Sequence, residues 1–192
     1  MKKYSFGSPE WKKDFEYVYS LVADSFNEFK DESDHVVNGY DESVKNYEYI
    51  SIAHKDTFHT GARVSVKCSF DSYGAPLLTF ANSAQTAENG KLQYGDHYEV
   101  VAYENGCNVW YITANDVPGE RPFKVACCLR LRFNIDAGSV IELSAEVMDK
   151  MLRVTVNEAS FDLPVPLLAD KFRIGITACE GINRFYEATI SQ

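Results

Sequence analysis

The stretch Tyr94 to Ile112 reads YGDHYEVVAYENGCNVWYI, and its period decides the fold. Apolar side chains recur every second residue on both sides of Asn105-Gly106, which is the spacing of a β-hairpin and not of a helix. Asn-Gly is a two-residue turn signal, because both residues tolerate positive φ. With Glu104 set opposite Cys107, Tyr103 faces Asn108, Val101 faces Trp110 and Glu99 faces Ile112. Those six share one side of the sheet. The other side carries Tyr98, Val100, Ala102, Val109 and Tyr111, an apolar set expected to face the core.

A second hairpin turns around Asp149-Lys150. Pairing Val147 with Leu152 puts Ala145 opposite Val154 and Leu143 opposite Val156 on the buried side. The solvated side then pairs Ser144 with Thr155 and Glu146 with Arg153, the latter an expected cross-strand ion pair. The same period of two runs through Tyr47–His54, Ala62–Phe70, Leu77–Ala81, Phe123–Phe133, Val140–Val147, Leu152–Asn157, Phe161–Leu163, Phe172–Ala178 and Arg184–Ser191. A polar loop is expected from Asn82 to Gly90. About eleven short strands with no helical period between them predict an antiparallel two-sheet sandwich and exclude a βαβ fold.

The N-terminus reads differently. Ser8 suits an N-cap and Pro9 the first helical position, with Glu10 at the positive end of the dipole. Trp11, Phe15, Val18, Val22, Phe26 and Phe29 follow at helical spacing. This predicts an amphipathic helix within residues 1–33, docked on the sandwich of residues 34–192 or on a partner protein. The whole chain of 192 residues is the size of one domain.

The first hairpin marks the candidate site. Its less apolar side holds Tyr103, Trp110, Asn108 and Glu99. Aromatic faces stack on the C–H patches of a pyranose, while an amide and a carboxylate bind its hydroxyls. On the strand from Phe123, alternation places Lys124, Arg130 and Arg132 on one face and Phe123, Val125, Cys127, Leu129 and Leu131 on the other. The second set reads as core, so the basic set is expected beside Trp110. Arg184, after Gly181 and Asn183, is a further candidate for fork-geometry contact with a sugar or uronate.

The segments YGDHYEVVAYENGCNVWYI and EGINRFYEATIS (Glu180 to Ser191) together resemble the concanavalin A-like lectin/glucanase jelly roll. The second is similar to the closing strand of laminin-G-like domains. The resemblance spans residues 34–192. It implies a jelly-roll sandwich that binds or acts on an oligosaccharide or polysaccharide at its concave sheet. The Glu-x-Asp-x-x-Glu run of related glucanases is absent, since Glu99 and Glu104 are five apart and face opposite sides.

Three functional readings follow. The first is carbohydrate binding through Tyr103, Asn108, Trp110, Lys124, Arg130, Arg132 and Arg184. The second is a glycoside hydrolase or polysaccharide lyase with Glu99 as catalytic carboxylate. Hydrolysis needs a second acid about 5–10 Å away, and neither Glu142 and Glu146 nor Glu180 and Glu187 is singled out by sequence. The third is a protein-interaction module that uses the helix stripe.

Charge narrows the partners. Nineteen basic and 28 acidic residues give a formal net charge of -9, which opposes approach to nucleic acid or to an anionic membrane. No cofactor motif or metal-ligand spacing occurs; His54, Asp56 and His59 around one loop are the nearest approach to one. The five cysteines include no Cys-x-x-Cys and read as reduced, small buried residues. No signal-peptide h-region follows Lys2-Lys3, so a cytoplasmic location is expected. The oligomeric state is not legible at this stage.

Overall fold

The computed structural model describes residues 1–19, 27–40, 48–71, 73–87, 90–115, 117–118 and 120–192. In chain order its strands are β1 (Lys2–Ser5), β2 (Phe15–Val18), β3 (Lys30–Asp31), β4 (Val36–Val37), β5 (Tyr49–His54) and β6 (Phe58–His59). They continue with β7 (Arg63–Phe70), β8 (Ala75–Ala81), β9 (Ala84–Thr86), β10 (Leu92–Tyr94), β11 (His97–Tyr103) and β12 (Gly106–Ala114). The last six are β13 (Phe123–Arg132), β14 (Ile141–Met148), β15 (Met151–Val156), β16 (Ala159–Pro164), β17 (Lys171–Cys179) and β18 (Asn183–Ser191).

Two antiparallel sheets stack face to face. One runs β16-β15-β14-β7-β18-β4-β3, with β1 also paired to β18. The other runs β13-β12-β11-β8-β17-β5-β2, with β6 also paired to β17. Between them lies one continuous apolar core. Ile52, Phe80, Val100, Val109 and Ile176 project into it from one sheet, and Val64, Val66, Leu143, Val154 and Phe185 from the other. Burying each such side chain contributes about 1.5–3 kcal/mol. Tyr98, Val100, Ala102, Val109 and Tyr111 face this core, as the alternation predicted. β9 and β10 form a separate two-stranded hairpin, within and beside the stretch expected to be a polar loop.

The predicted N-terminal helix is not present. Ser8 does cap a helical start, its hydroxyl accepting from the Glu10 amide, and Pro9 does open it, but only a 3-10 turn forms, Pro9–Lys13. Phe15–Val18 then runs as a strand on β5, pairing Phe15 with His54 and Tyr17 with Ile52. The run Phe-Glu-Tyr-Val carries period two as well as helical spacing, and its residue types fit a pleated, half-buried surface. Strand pairing satisfies its backbone, so the tertiary partner decides. Val22 and Phe26 lie outside the described residues. Trp11 and Phe15 are buried in the protein's own core, 2% and 3% exposed. That removes the helix stripe as a protein-docking surface.

The second hairpin has the expected register, from Val147 opposite Leu152 to Leu143 opposite Val156. Its ion pairs differ from expectation. Glu146 binds Arg63 of β7 at 2.9 Å, and Arg153 binds Asp162 of β16 through two hydrogen bonds of 2.9 and 3.0 Å. Each charge reaches sideways to the next strand instead of across the hairpin.

The first hairpin keeps its faces but shifts register by two. Tyr103 pairs with Gly106, Glu99 with Trp110 and Val101 with Asn108. A slip of two preserves the pleat, so every side chain stays on its predicted side. Glu104-Asn105 makes the turn. Gly106 is inside the strand at φ +138, where a Cβ would stand 1.9 Å from the Leu131 carbonyl oxygen. Glycine is required there by the close approach of β13, not by the turn.

Cysteine usage also differs from expectation. Cys68, Cys107 and Cys179 are buried, but Cys127 and Cys128 are exposed on the edge strand β13, and all five are free. No helix among the described residues is long and apolar enough to cross a membrane.

Candidate functional site

A β-bulge shapes the site. β12 and β13 pair as Asn108–Arg130 and Val109–Leu129, then skip a residue to Trp110–Cys127, Ile112–Val125 and Ala114–Phe123. The extra residue reverses the pleat of the first half of β13. Phe123 and Val125, expected in the core, therefore stand on the Trp110 face, Val125 being 50% exposed. Lys124, opposite Thr113, turns to the other face. Arg130 and Arg132 lie beyond the bulge and remain on the Trp110 side.

The result is a cleft of about 380 Å³ on the outer face of the β13-to-β2 sheet. Its floor is Leu77, Val101 and Ile112. Trp110, Tyr103, Phe123 and Val125 form one wall, and Tyr73 with Gly74 and Cys179 close the far end. Its polar groups are Glu99, Glu104, Asn108 and Glu180. Trp110 and Tyr103 are half-buried, packed on a small apolar cluster of Tyr49, Leu77, Val101 and Cys179. The Tyr103 hydroxyl approaches the Asn108 side-chain oxygen at 3.5 Å.

Glu99 is buried at 6% exposure, yet it lines the cleft. The Tyr49 hydroxyl donates to its Oε1 at 2.5 Å, and His97 Nε2 lies 3.4 Å from the same oxygen. Burial first, and then the Glu99 charge, push the Tyr49 phenol well above its usual range. The tyrosine thus stays a donor and holds the carboxylate in one rotamer.

Glu180 sits at the cleft end at φ +54, followed by Gly181 at φ +25. A Cβ on Gly181 would stand 2.3 Å from the Gly74 nitrogen, and one on Gly74 would stand 2.5 Å from the Ile182 carbonyl oxygen. The two loops pack backbone on backbone, and this presents Tyr73 (φ +71) and Glu180 to the cleft. Asn38 secures the turn, donating to the Gly181 carbonyl at 2.7 Å and to Glu48 at 3.0 Å and accepting from the Asn183 amide at 2.6 Å. Desolvation raises the Glu180 carboxyl above the usual carboxylate range. Tyr73 was not singled out from sequence; the Gly74 and Gly181 pair is the only trace of it there.

The cleft's carboxylates come from different elements. Glu99 is level with Thr79, and Thr79 with Gly175. Glu180 lies five residues beyond Gly175, about 16 Å along the strand at 3.3 Å per residue.

Of the sequence-predicted residues, Glu99, Tyr103, Asn108 and Trp110 come together in the cleft. Arg130 flanks it, its guanidinium 5.7 Å from the Trp110 ring centroid. Arg132, opposite Gly106, is exposed further along the same edge. Lys124 points away. Arg184 belongs to the other sheet and forms a two-pronged pair with Asp71 at 2.9 and 3.1 Å. The basic patch expected beside Trp110 is therefore reduced to a rim, and the charged groups that line the cleft are carboxylates. The His54, Asp56 and His59 loop does not gather ligands either. His54 Nε2 meets the Tyr4 hydroxyl at 2.7 Å, and its Nδ1 accepts from the Asp56 amide at 3.0 Å.

No family model matches the chain, and no curated protein matches its sequence. Solved structures do match in shape. A carbohydrate-binding module, CBM66, from Bacillus subtilis aligns with a TM-score of 0.65 at 10% identity, over 93% of this chain and 96% of that one. A β-glucanase of Bacillus licheniformis aligns at 0.63 and 8% identity, over 100% and 97%. A legume lectin-like domain from Entamoeba histolytica aligns at 0.53 and 10% identity, over 96% and 93%. The fold of this chain is thus the concanavalin A-like jelly-roll sandwich that these three proteins share.

Proposed function

We propose that the protein binds an oligosaccharide or polysaccharide chain in this cleft. The observation that carries the reading is the set of Trp110, Tyr103 and Tyr73 around a rigidly held carboxylate and an amide, Glu99 and Asn108. Ring faces supply apolar platforms for pyranose C–H patches, and the fixed acceptors take sugar hydroxyls. The fold shared with a carbohydrate-binding module, a β-glucanase and a lectin-like domain supports the same reading.

The cleft's charge refines the ligand. Glu99, Glu104 and Glu180 disfavour an anionic chain inside it, so neutral sugars fit better than uronates. Arg130 and Arg132 contact only what overhangs the rim. Calorimetry or a glycan array with wild type and Trp110→Ala tests the proposal. We expect an affinity loss of about tenfold or more in the variant with the fold retained. Failure of the wild type to bind any glycan, or equal binding by the variant, rejects it.

Hydrolysis or lyase chemistry on the same scaffold is the second reading. Glu180, held above the usual carboxylate range beside aromatic side chains, favours it as a proton donor. Under the enzymatic reading Glu99→Gln abolishes turnover of a bound glycan; under the binding reading no turnover is found.

A further inference from the structure

Glu99 has one oxygen committed and one open. The Tyr49 hydroxyl donates to Oε1, and His97 Nε2 faces the same atom at 3.4 Å. Among the described residues none binds Oε2, and Glu99 lines the cleft. His97 stands two residues before Glu99 on β11, so both side chains lie on the cleft side of the sheet. His97 is itself buried, at 7% exposure.

The far nitrogen of His97 fixes the state of the near one. Nδ1 lies 2.7 Å from the Gly95 carbonyl oxygen. A carbonyl only accepts, so Nδ1 carries a hydrogen. A neutral imidazole has a single N–H, so Nε2 of neutral His97 is a lone pair. It would then meet Oε1 acceptor to acceptor. That contact is favourable only with a proton between the two atoms. The pair therefore holds one proton, as imidazolium beside carboxylate or as imidazole beside carboxylic acid. Either form is electrically neutral. Loss of the proton to solvent leaves one negative charge and a lone-pair repulsion at Oε1.

The surroundings leave this proton to the pair. Tyr49 of β5 and Tyr94 of β10 are phenols that burial keeps neutral, and the Tyr94 ring lies 5.3 Å from that of His97. Arg173 of β17 is paired with Glu16 of β2 at 2.7 Å. Asp96, next to His97, accepts from the Ala114 amide at 3.3 Å. Cys179, Glu104 and Glu180 line the cleft. The flanking strands β8 and β12 present Thr79, Ala81, Trp110 and Ile112, which do not titrate.

We propose that His97 is the positioning residue of the cleft: by holding a proton against Oε1 it keeps Glu99 Oε2 turned to the cleft, as acceptor for a hydroxyl of a neutral sugar. The proposal rests on carbohydrate binding at the open cleft. Glycan affinity is then full while the pair keeps its proton and falls as pH rises and the proton leaves. By linkage, binding at the higher pH takes up a proton.

Two measurements test it together. The first needs no ligand. It reads the imidazole nitrogen shifts of His97 from about pH 6 to about pH 9, assigned with His97→Gln. We expect a hydrogen on Nδ1 throughout. A neutral ring with its hydrogen on Nε2 overturns the proposal, because His97 then donates to Glu99 with no added proton. The second is calorimetry with β-1,3-glucohexaose at the same two pH values, the glycan array supplying a substitute if this does not bind. Wild type is expected to bind about tenfold more weakly at the higher pH. His97→Gln, whose side-chain N–H persists, is expected to bind equally at both. His97→Asn, which also does not titrate, replaces it should it not fold. Glu180→Gln is expected to keep the wild-type dependence. A pH effect that survives in His97→Gln, or that vanishes in Glu180→Gln, overturns the proposal. Trp110-dependent binding with no pH effect rejects the role of His97 and keeps the carbohydrate reading. No glycan bound by any form, with the hydrogen found on Nδ1, rejects the carbohydrate reading and keeps the proton pair.

Discussion

Tyr49 and Tyr94 show how single residues set the behaviour of the site. Both phenols are buried, and burial pushes both well above their usual range. The unfolded chain ionises them near pH 10, while the folded chain keeps them neutral. Their contribution to stability is therefore full below pH 10 and is lost as pH rises toward the folded values. The loss is about 1.4 kcal/mol per pH unit for each tyrosine. Burial also pushes the Cys68 and Cys107 thiols up from about 9, so denaturant unfolding between pH 8 and 11 is expected to show stability falling from about pH 9 and more steeply above pH 10, with the steeper limb reduced in Tyr49→Phe. A profile that is flat there contradicts their burial. Gly106 is the second residue of this kind. Gly106→Ala forces a Cβ against the Leu131 carbonyl at a φ that suits only glycine. We expect a loss of about 2–3 kcal/mol, seen as a fall in Tm of roughly 5–10 °C. The Asn-Gly pair was visible in the sequence, but its reason was not. A turn signal and a close-approach signal use the same residue.

Among elements, β13 carries the main lesson. Strict alternation assigns Lys124, Arg130 and Arg132 to one face, and that assignment holds only beyond Leu129. The bulge reverses the first half and brings Phe123 and Val125 to the cleft. Nothing in a run of period two shows where one extra residue will be accommodated, because the choice depends on the neighbouring strand. β18 gives the complementary case. Arg184 was a reasonable candidate by residue type, but the sheet order puts it on the opposite sheet with Asp71. Arg184→Ala is expected to cost about 0–1 kcal/mol, since the pair is partly exposed. It should leave glycan affinity unchanged; calorimetry beside Trp110→Ala checks this, and a matching loss in both variants would undo the assignment of the cleft. The β2 segment failed differently. Its residues satisfied two periods at once, and only pairing with β5 selected the strand.

At the scale of the molecule, both sheets bury their inner faces in one core that extends from Tyr4 to Ile190. We expect a single cooperative unfolding transition, with tryptophan fluorescence and far-ultraviolet circular dichroism coincident; two separate transitions would divide the chain into independent units. The sequence by itself determined the all-β class, the two main hairpins, their core-facing positions and the grouping of Glu99, Tyr103, Asn108 and Trp110. Those features depend on period and on local turn chemistry, which neighbouring residues carry. The tertiary structure alone decided that Arg184 pairs with Asp71 on the other sheet, that Lys124 turns away, and that Tyr73 and Glu180 line the end of the cleft. Each of these depends on which distant strand lies alongside, and residues far apart in the chain leave no periodic trace of their pairing.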